Sequence, residues 1–505
     1  MKSARVAKGT AYIAIQNGLQ YLTSLFFYVA VAHLLSREDV GKITLLNFTL
    51  MAFNTLTTFA IPVASTKFIS EKTGKGMVDE ASAASRTAFV LVLAISLPSL
   101  VLASVFSPWL SNIYFGAGED AMLFLITFVS AFLLNLTTLY GAEMRGLGMF
   151  TEMATAGLAF ILSSRLIGVI LAWAGYGVLG VVSGWLIGAV ICLIISRRFL
   201  KGKFQAKENQ SFSKRLIIDY SYPVFTYTTI SFVQSWTDVV ILYALTSNLA
   251  SEAMYYLAAA GSTLLSIVWT ATSMTMLPAI SAKHGRREGI DDLTKTSTRL
   301  LNLIVIPVSL SLAAASHSAI TLAYGADYTQ GAAPFAILTA TSIVQGYLAI
   351  FVTALEATGE TGALMKISAA SAITGTVLIV ILARPLGMVG AAIARSVMFA
   401  ASLVLCHRAL KKRAEFKSDT RSLKKALMLS IALAVPIAAM DWTLTNTAKL
   451  NLPTRITIET TYFTLAGLIA AKKLKPFETR DFELLKKALP KQPHPIINRI
   501  QRLLS

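Results

Sequence analysis

Residues 153–198 read MATAGLAFILSSRLIGVILAWAGYGVLGVVSGWLIGAVICLIISRR, and between Glu152 and Arg197 a single charge interrupts the stretch, Arg165. A helix that crosses a bilayer needs about 20 mostly apolar residues. The stretch therefore holds two crossings, 152–174 and 177–196, divided by the Trp/Gly/Tyr punctuation between them. The same reading extends outward in both directions. Apolar runs between polar or Gly/Pro breaks predict further helices at 9–34, 40–66, 84–108, 120–143, 218–246, 253–281, 297–323, 331–355, 364–383, 387–409, 424–443 and 453–471, fourteen in all. Of the 505 residues 55% are hydrophobic and only 14% charged, where a soluble domain carries about 25% charge. The expected fold class is all-α, a polytopic membrane protein, and no leftover stretch is long enough for a soluble catalytic domain.

The formal charge is +19, and its distribution matters more than its sum. With the N-terminus inside, 38 of the 45 Lys/Arg fall on the cytoplasmic side and five outside, namely Arg37, Lys42, Arg384, Lys449 and Arg455. Arg165 and Arg395 remain within the membrane. Such a bias predicts a multi-pass protein of the cytoplasmic membrane with both termini in the cytoplasm. It accounts for the basic charge through topology and lipid headgroups, without nucleic acid. The basic start, apolar run and Ala30-Val31-Ala32 imitate a cleaved signal peptide. Gln16, Asn17 and Gln20 interrupt that run, however, and its loss would break the repeat described next. Cys192 and Cys406 both sit in apolar segments, and the five histidines have no HExxH spacing, so neither a disulfide framework nor a metal centre is expected.

The chain compares with itself. Gln20-Tyr21-Leu22-Thr23-Ser24 meets Gln234-Ser235-Trp236-Thr237-Asp238 at an offset of 214, and Glu38 meets Glu252 at the same offset. Pro62 and Lys67 meet Pro278 and Lys283 at 216, and Gly177-Val178-Leu179-Gly180 meets Gly387-Met388-Val389-Gly390 at 210. Four matches in one order indicate duplication of a six-helix unit. Six is even, so the copies share one orientation, related by an axis along the membrane normal. The expected domains are 1–204 (spans 1–6), 205–416 (spans 7–12), 417–472 (spans 13 and 14) and a cytoplasmic tail, 473–505, with apolar faces at Phe482, Leu485 and Leu489 and at Ile496, Ile497, Ile500 and Leu504.

Several segments carry a family resemblance: Leu34-Leu35-Ser36-Arg37-Glu38-Asp39-Val40-Gly41, Ile61-Pro62, Thr237-Asp238-Val239-Val240-Ile241 and Gly387-Met388-Val389-Gly390-Ala391-Ala392. Over essentially its whole length the sequence resembles the polysaccharide-transporter and oligosaccharide-flippase branch, O-antigen flippase-like, of the multidrug/oligosaccharidyl-lipid/polysaccharide exporter superfamily. The resemblance implies two six-helix lobes forming a V around a central cavity. It also implies movement of lipid-linked saccharides or, in the drug-exporting branch, of organic cations. Lipid II flippases of the superfamily carry two extra C-terminal helices, which gives spans 13 and 14 a precedent as a lipid-tail groove.

Polar residues inside the membrane are expensive and mark function. Arg165 lies about 13 residues into its span, about 20 Å along the axis, too deep to snorkel easily. It reads either as an anion-coordinating residue or as a structural ion-pair partner. Arg395 and Asp238 lie about eight residues below the outer ends of their spans, where a mutual salt bridge is the plainer reading. Gln16, Asn17, Gln20, Gln234 and Gln345, with Asn47, Asn54 and Asn135, either line a wet cavity for sugar hydroxyls or bond helix to helix. Trp236 and Trp269 either stack on sugar rings or anchor at the membrane interface. Two deep cations against one anion suit a phosphate-bearing substrate better than a cationic drug, which needs an exchangeable carboxylate.

The expected function is a flippase that moves a lipid-linked oligosaccharide across the cytoplasmic membrane by alternating access, breaking no bond and using no catalytic residue, metal or cofactor. Its expected partners are the lipid-linked glycan, membrane lipids and glycan-assembly enzymes, with no nucleic acid. Membrane potential, a coupled H+ or Na+, and onward consumption of product all fit as energy sources. The rival reading is a multidrug/cation antiporter, in which Asp238 would be the coupling acid.

Overall fold

The computed structural model describes residues 2–116, 118–204, 211–286, 288–411, 419–446 and 450–474. For residues 2–15 and 17 it describes the backbone alone, so the side chain of Asn17 lies outside it, as does nearly all of the expected tail. Among the described residues the secondary structure is helical, without a strand, which agrees with the all-α expectation. In chain order the α-helices are α1 Lys2–Leu34, α2 Arg37–Thr58, α3 Ile61–Gly74, α4 Val78–Val105, α5 Ser107–Phe115, α6 Ala121–Gly146, α7 Phe150–Leu171, α8 Gly177–Leu200, α9 Lys214–Thr246, α10 Leu249–Ser262, α11 Ser266–Gly285, α12 Asp291–Ala314, α13 Ser316–Tyr324, α14 Ala332–Ala357, α15 Thr361–Lys411, α16 Thr420–Asn446 and α17 Leu452–Leu474.

Among the described residues eight continuous helices are long and apolar enough to cross a membrane, nine if the bent pair α2–α3 counts as one crossing. Two of the eight, Phe150–Leu200 and Gly362–Lys411, run to 51 and 50 residues, more than twice the length a bilayer needs. Glycine explains both. Gly177 has φ 55, ψ −134 and Gly387 has φ 54, ψ −132, a mirror-image β conformation that a side chain forbids. Each therefore turns its stretch into an antiparallel hairpin. In the first, Gly180, Gly184 and Gly188 face Ala172, Gly168 and Ser164, and a Cβ at any of the three would run into the opposite helix at 2.5–2.9 Å. Small residues every fourth position let two helix backbones touch, and in lipid such close packing replaces the hydrophobic effect as the main attraction. In the second, Gly390 meets the Leu382 carbonyl and Gly375 the Met398 side chain. With the hairpins counted as two crossings each, and α1, α9 and α17 in the places of spans 1, 7 and 14, the fourteen expected crossings are accounted for.

The duplication recurs in the details of the helix ends. α1 and α9 are each 33 residues long, and α5 and α13 each nine. Ser36 caps α2 by accepting from the Asp39 amide at 3.1 Å, and Asn248 caps α10 by accepting from the Ser251 amide at 2.9 Å. These caps set a register of 212 at the start of the repeat rather than 214. Glu252 then replaces the buried Val40, not the exposed Glu38.

Two expected spans are more broken than the hydropathy indicates. The second bends by 48° between α2 and α3, where Phe59 (φ 49) and Ala60 (φ 52) are left-handed without being glycine. Pro62 then opens α3, where its missing amide costs nothing. The ninth stops at Ala314 and turns into the short α13, and the stretch expected as a loop after α4 forms α5.

Contacts divide the chain into two compact units, Met1–Ala253 and Met254–Ser505, so α9 groups with the helices before it, beyond the expected boundary at 204/205. In the first unit Ile61, Ala88, Val92, Leu139 and Ile217 join α3, α4, α6 and α9 in one core. In the second, Trp269, Leu301, Ile350, Leu355 and Cys406 do the same for α11, α12, α14 and α15. Large apolar side chains such as Val101, Val105, Trp173 and Ile194 stay exposed, as expected of helix faces that meet lipid.

Candidate functional site

In the first unit, α1 and α7 form one polar seam. Gln16, Gln20, Ser24 and Phe27 follow at helical spacing on α1. Gln16 lies against Gly157 of α7, where a Cβ would collide with its amide, and Gln20 is exposed. Two turns after Gly157, Arg165 sets its guanidinium over the Phe27 ring, 5.6 Å from the centroid. Contact order rises along both helices, so they run parallel, as spans 1 and 5 of the expected topology must. Cation–π stacking of this kind is worth about 2 kcal/mol in a dry site. It uses the flat face of a guanidinium whose N–H donors point outward from the edge, the geometry that grips phosphate or carboxylate oxygens.

The second arrangement in this unit is acidic. Asp238 on α9 is 2% exposed, and Glu252, four residues into α10, is fully buried and interacts electrostatically with it. Among the described residues neither oxygen of Glu252 has a hydrogen-bond partner. Two neighbouring buried carboxyls repel when both are charged, so such a pair is suited to hold a proton or a metal cation. The sequence pointed to Asp238 and read Glu252 only as a repeat marker. A carboxyl in the place of a buried valine was the signal that would have found it. Gln234, half-buried, lies one turn before Asp238. Between them Trp236 clusters with Phe232 and, at 5.7 Å, with Phe48 of α2, so it packs in an aromatic cluster. Contacts follow α9 onward: Phe225 stacks on Phe59 at 4.4 Å, and the Tyr243 hydroxyl donates to the Tyr114 carbonyl.

Asn54 and Asn135 turn out to bond helix to helix. Asn54 Nδ2 donates to Asn135 Oδ1 at 2.8 Å, and Asn135 Nδ2, itself fully buried, donates to Thr57 Oγ1 at 2.6 Å across the α2–α6 contact.

In the second unit Arg395 stacks over Phe399 of its own helix at 5.5 Å. Its neighbour Ser396 hydrogen-bonds Thr341 on α14 at 2.5 Å, one turn before the half-buried Gln345. Trp269 is buried in the core. α12, α13, α16 and α17 enclose an apolar groove of about 270 Å³, walled by Val308, Leu322, Ile437, Ile456 and Phe463. At its edge Ser318 Oγ lies 2.7 Å from Asp441 and 3.0 Å from Glu459, tying the two C-terminal helices to α13. No group of three or more His, Cys, Asp or Glu among the described residues has the arrangement of a metal site.

A duplicated six-helix unit with two appended helices and few charges inside its crossings defines a polytopic all-α membrane protein. The fold matches a solved structure of the lipid II flippase MurJ in an inward closed conformation, with TM-score 0.72 and 18% identity over 91% of this chain and 97% of that one. It also matches an inward-facing multidrug resistance MATE family transporter of the MOP superfamily, with TM-score 0.60 and 14% identity over 78% of this chain and 96% of that one. A family model described as polysaccharide biosynthesis protein matches residues 30–334, and the chain belongs to that family. It is 24% identical, over 245 residues, to a probable low-salt glycan biosynthesis flippase, Agl15, of Haloferax volcanii, a match that spans 46% of this chain and about half, 52%, of that relative.

Proposed function

We propose that the protein is a membrane transporter that flips a lipid-linked oligosaccharide across the cytoplasmic membrane by alternating access. Membership of the polysaccharide biosynthesis family carries the reading. The flippase relative and the likeness to MurJ support it. In this reading the phosphate of the carrier lipid meets Arg165, the sugars travel past the polar faces of α1 and α9, and the prenyl tail stays in lipid along the groove between α12, α13, α16 and α17. Arg395 and Gln345 are the second unit's candidates for substrate contact, and Asp238 with Glu252 binds a coupling cation. The charge bias supports both termini in the cytoplasm.

The acidic pair is a specific observation in favour of the second reading, a cation antiporter of the kind the MATE likeness represents. Substitutions at two positions separate them. In cells lacking the native gene, Arg165→Ala should abolish glycan export at normal membrane abundance, and Arg165→Lys should restore part of it, since a point charge lacks the planar fork. Normal export by well-folded Arg165→Ala, with cation efflux lost in Asp238→Asn, would transfer the assignment to the antiporter.

A further inference from the structure

Where the first turns of α4 meet the last turns of α6 and α8 the first unit holds a cavity of about 770 Å³, within the usual range for small-molecule sites. Glu143 on α6 forms its floor, 2% exposed, and accepts a hydrogen bond from Ser85 Oγ of α4 at 2.5 Å. Around it stand Arg86, Arg197, Arg198 and Lys201, and among the described residues Glu143 is the only acid that lines the cavity. Among the described residues none of the four cations forms an ion pair. Four positive charges against one buried carboxyl leave the cavity strongly anion-attracting.

One wall is aromatic: Phe89 and Tyr140 lie parallel, 6.3 Å apart. The mouth reaches Ile194, 62% exposed, which continues an outward stripe on α8 through Ile187 and Val190. A charged chamber that opens onto a lipid-facing stripe fits a molecule with a phosphate at one end and a hydrocarbon chain at the other. Basic pockets between helices at this depth hold lipid headgroups through phosphate contacts, and arginine grips phosphate oxygens in pairs.

We propose that this cavity binds the phosphate-bearing headgroup of a membrane lipid, with the chain lying along the Ile187–Ile194 stripe. The source is a bulk anionic phospholipid or a polyprenyl phosphate; the chemistry is shared. The proposal does not rest on the flippase reading, because lipid binding is read by mass without any measurement of transport.

The test uses full-length protein in nanodiscs of phosphatidylcholine, titrated with phosphatidylglycerol or a polyprenyl phosphate and read by native mass spectrometry. The combined Arg86→Gln, Arg197→Gln, Arg198→Gln variant should bind either lipid about a hundredfold more weakly, and each single change about fivefold more weakly, at about 1 kcal/mol per charge. The single changes keep the test valid if the triple variant fails to fold. Lys75→Gln, which removes an equal charge that already pairs with Glu71, should change nothing. Equal binding of both lipids assigns the site to anionic lipid generally. Preference for the polyprenyl phosphate assigns it to the carrier. Undiminished binding in folded variants, equal weakening by Lys75→Gln, or displacement of the lipid by an equal concentration of inorganic phosphate would overturn the proposal.

Discussion

Arg86 and Arg299 are each the ninth residue of corresponding helices, α4 and α12, yet the two units treat them in opposite ways. In the second unit Arg299 Nη1 binds Asp419 at 3.0 Å. The start of α16 closes over the pair: Asn302 donates to Ser422 Oγ at 2.9 Å, Tyr347 donates to Asn302, and Asp419 Oδ1 caps the Ser422 amide at 3.1 Å. In the first unit Arg86 opens onto a cavity whose floor is Glu143. A duplicated scaffold thus keeps its arginine and changes what faces it, which converts a structural ion pair into a binding chamber. In the second unit it is the start of α16 that supplies the partner of Arg299.

The largest effect should come from the feature the two units share. Leucine at Gly184 or Gly390 puts a side chain where a bare Cβ already overlaps the opposite backbone. Either change should cost about 3 kcal/mol or more and strongly reduce folded protein in membranes, read by detergent-resistant abundance. Normal abundance in both would break the hairpin account of the two long stretches. Next comes the asymmetry. Asp419→Ala removes a charge-assisted bond and a helix cap and should lower stability by about 2 kcal/mol. Arg86→Gln should stay within about 0.5 kcal/mol. Thermal unfolding in detergent compares them, and equal losses would erase the distinction between the units.

The smallest effect is the pH dependence of that ion pair. Burial works to raise the Asp419 pKa, but the Ser422 amide and hydroxyl and the Arg299 guanidinium outweigh it and hold the carboxyl below its ordinary value. A depressed folded-state pKa means that the stabilisation is complete above the unfolded value of about 3.9 and fades as pH falls through the folded one. The stability gap between wild type and Asp419→Asn should therefore be flat near neutrality and shrink only below about pH 4. A gap that changes between pH 6 and pH 8 would assign it to another group.

Hydropathy made the crossings legible because a helix must stay apolar over the whole bilayer thickness, and the glycines at 177 and 387 marked both hairpins and the repeat. Less could be read where geometry depends on partners distant in sequence. Nothing local announces that Phe59 and Ala60 turn left-handed, since neither is glycine. Arg165 and Asp238 stood out as charges in apolar runs, whereas Glu252 sat at a span edge, and its burial beside Asp238 depends on how α10 packs. Arg86, Arg197, Arg198 and Lys201 read as topology signals. Only the fold shows that they surround one cavity with Glu143.

Transport of a lipid-linked glycan is measurable with purified protein in proteoliposomes. A fluorescent lipid-linked oligosaccharide placed in one leaflet should reach the other at a rate that depends on wild-type protein and collapses in Arg165→Ala, without cleavage of the lipid. Transfer no faster than in protein-free vesicles, in liposomes where a cationic dye is exchanged for protons or sodium, would show an antiporter and not a flippase.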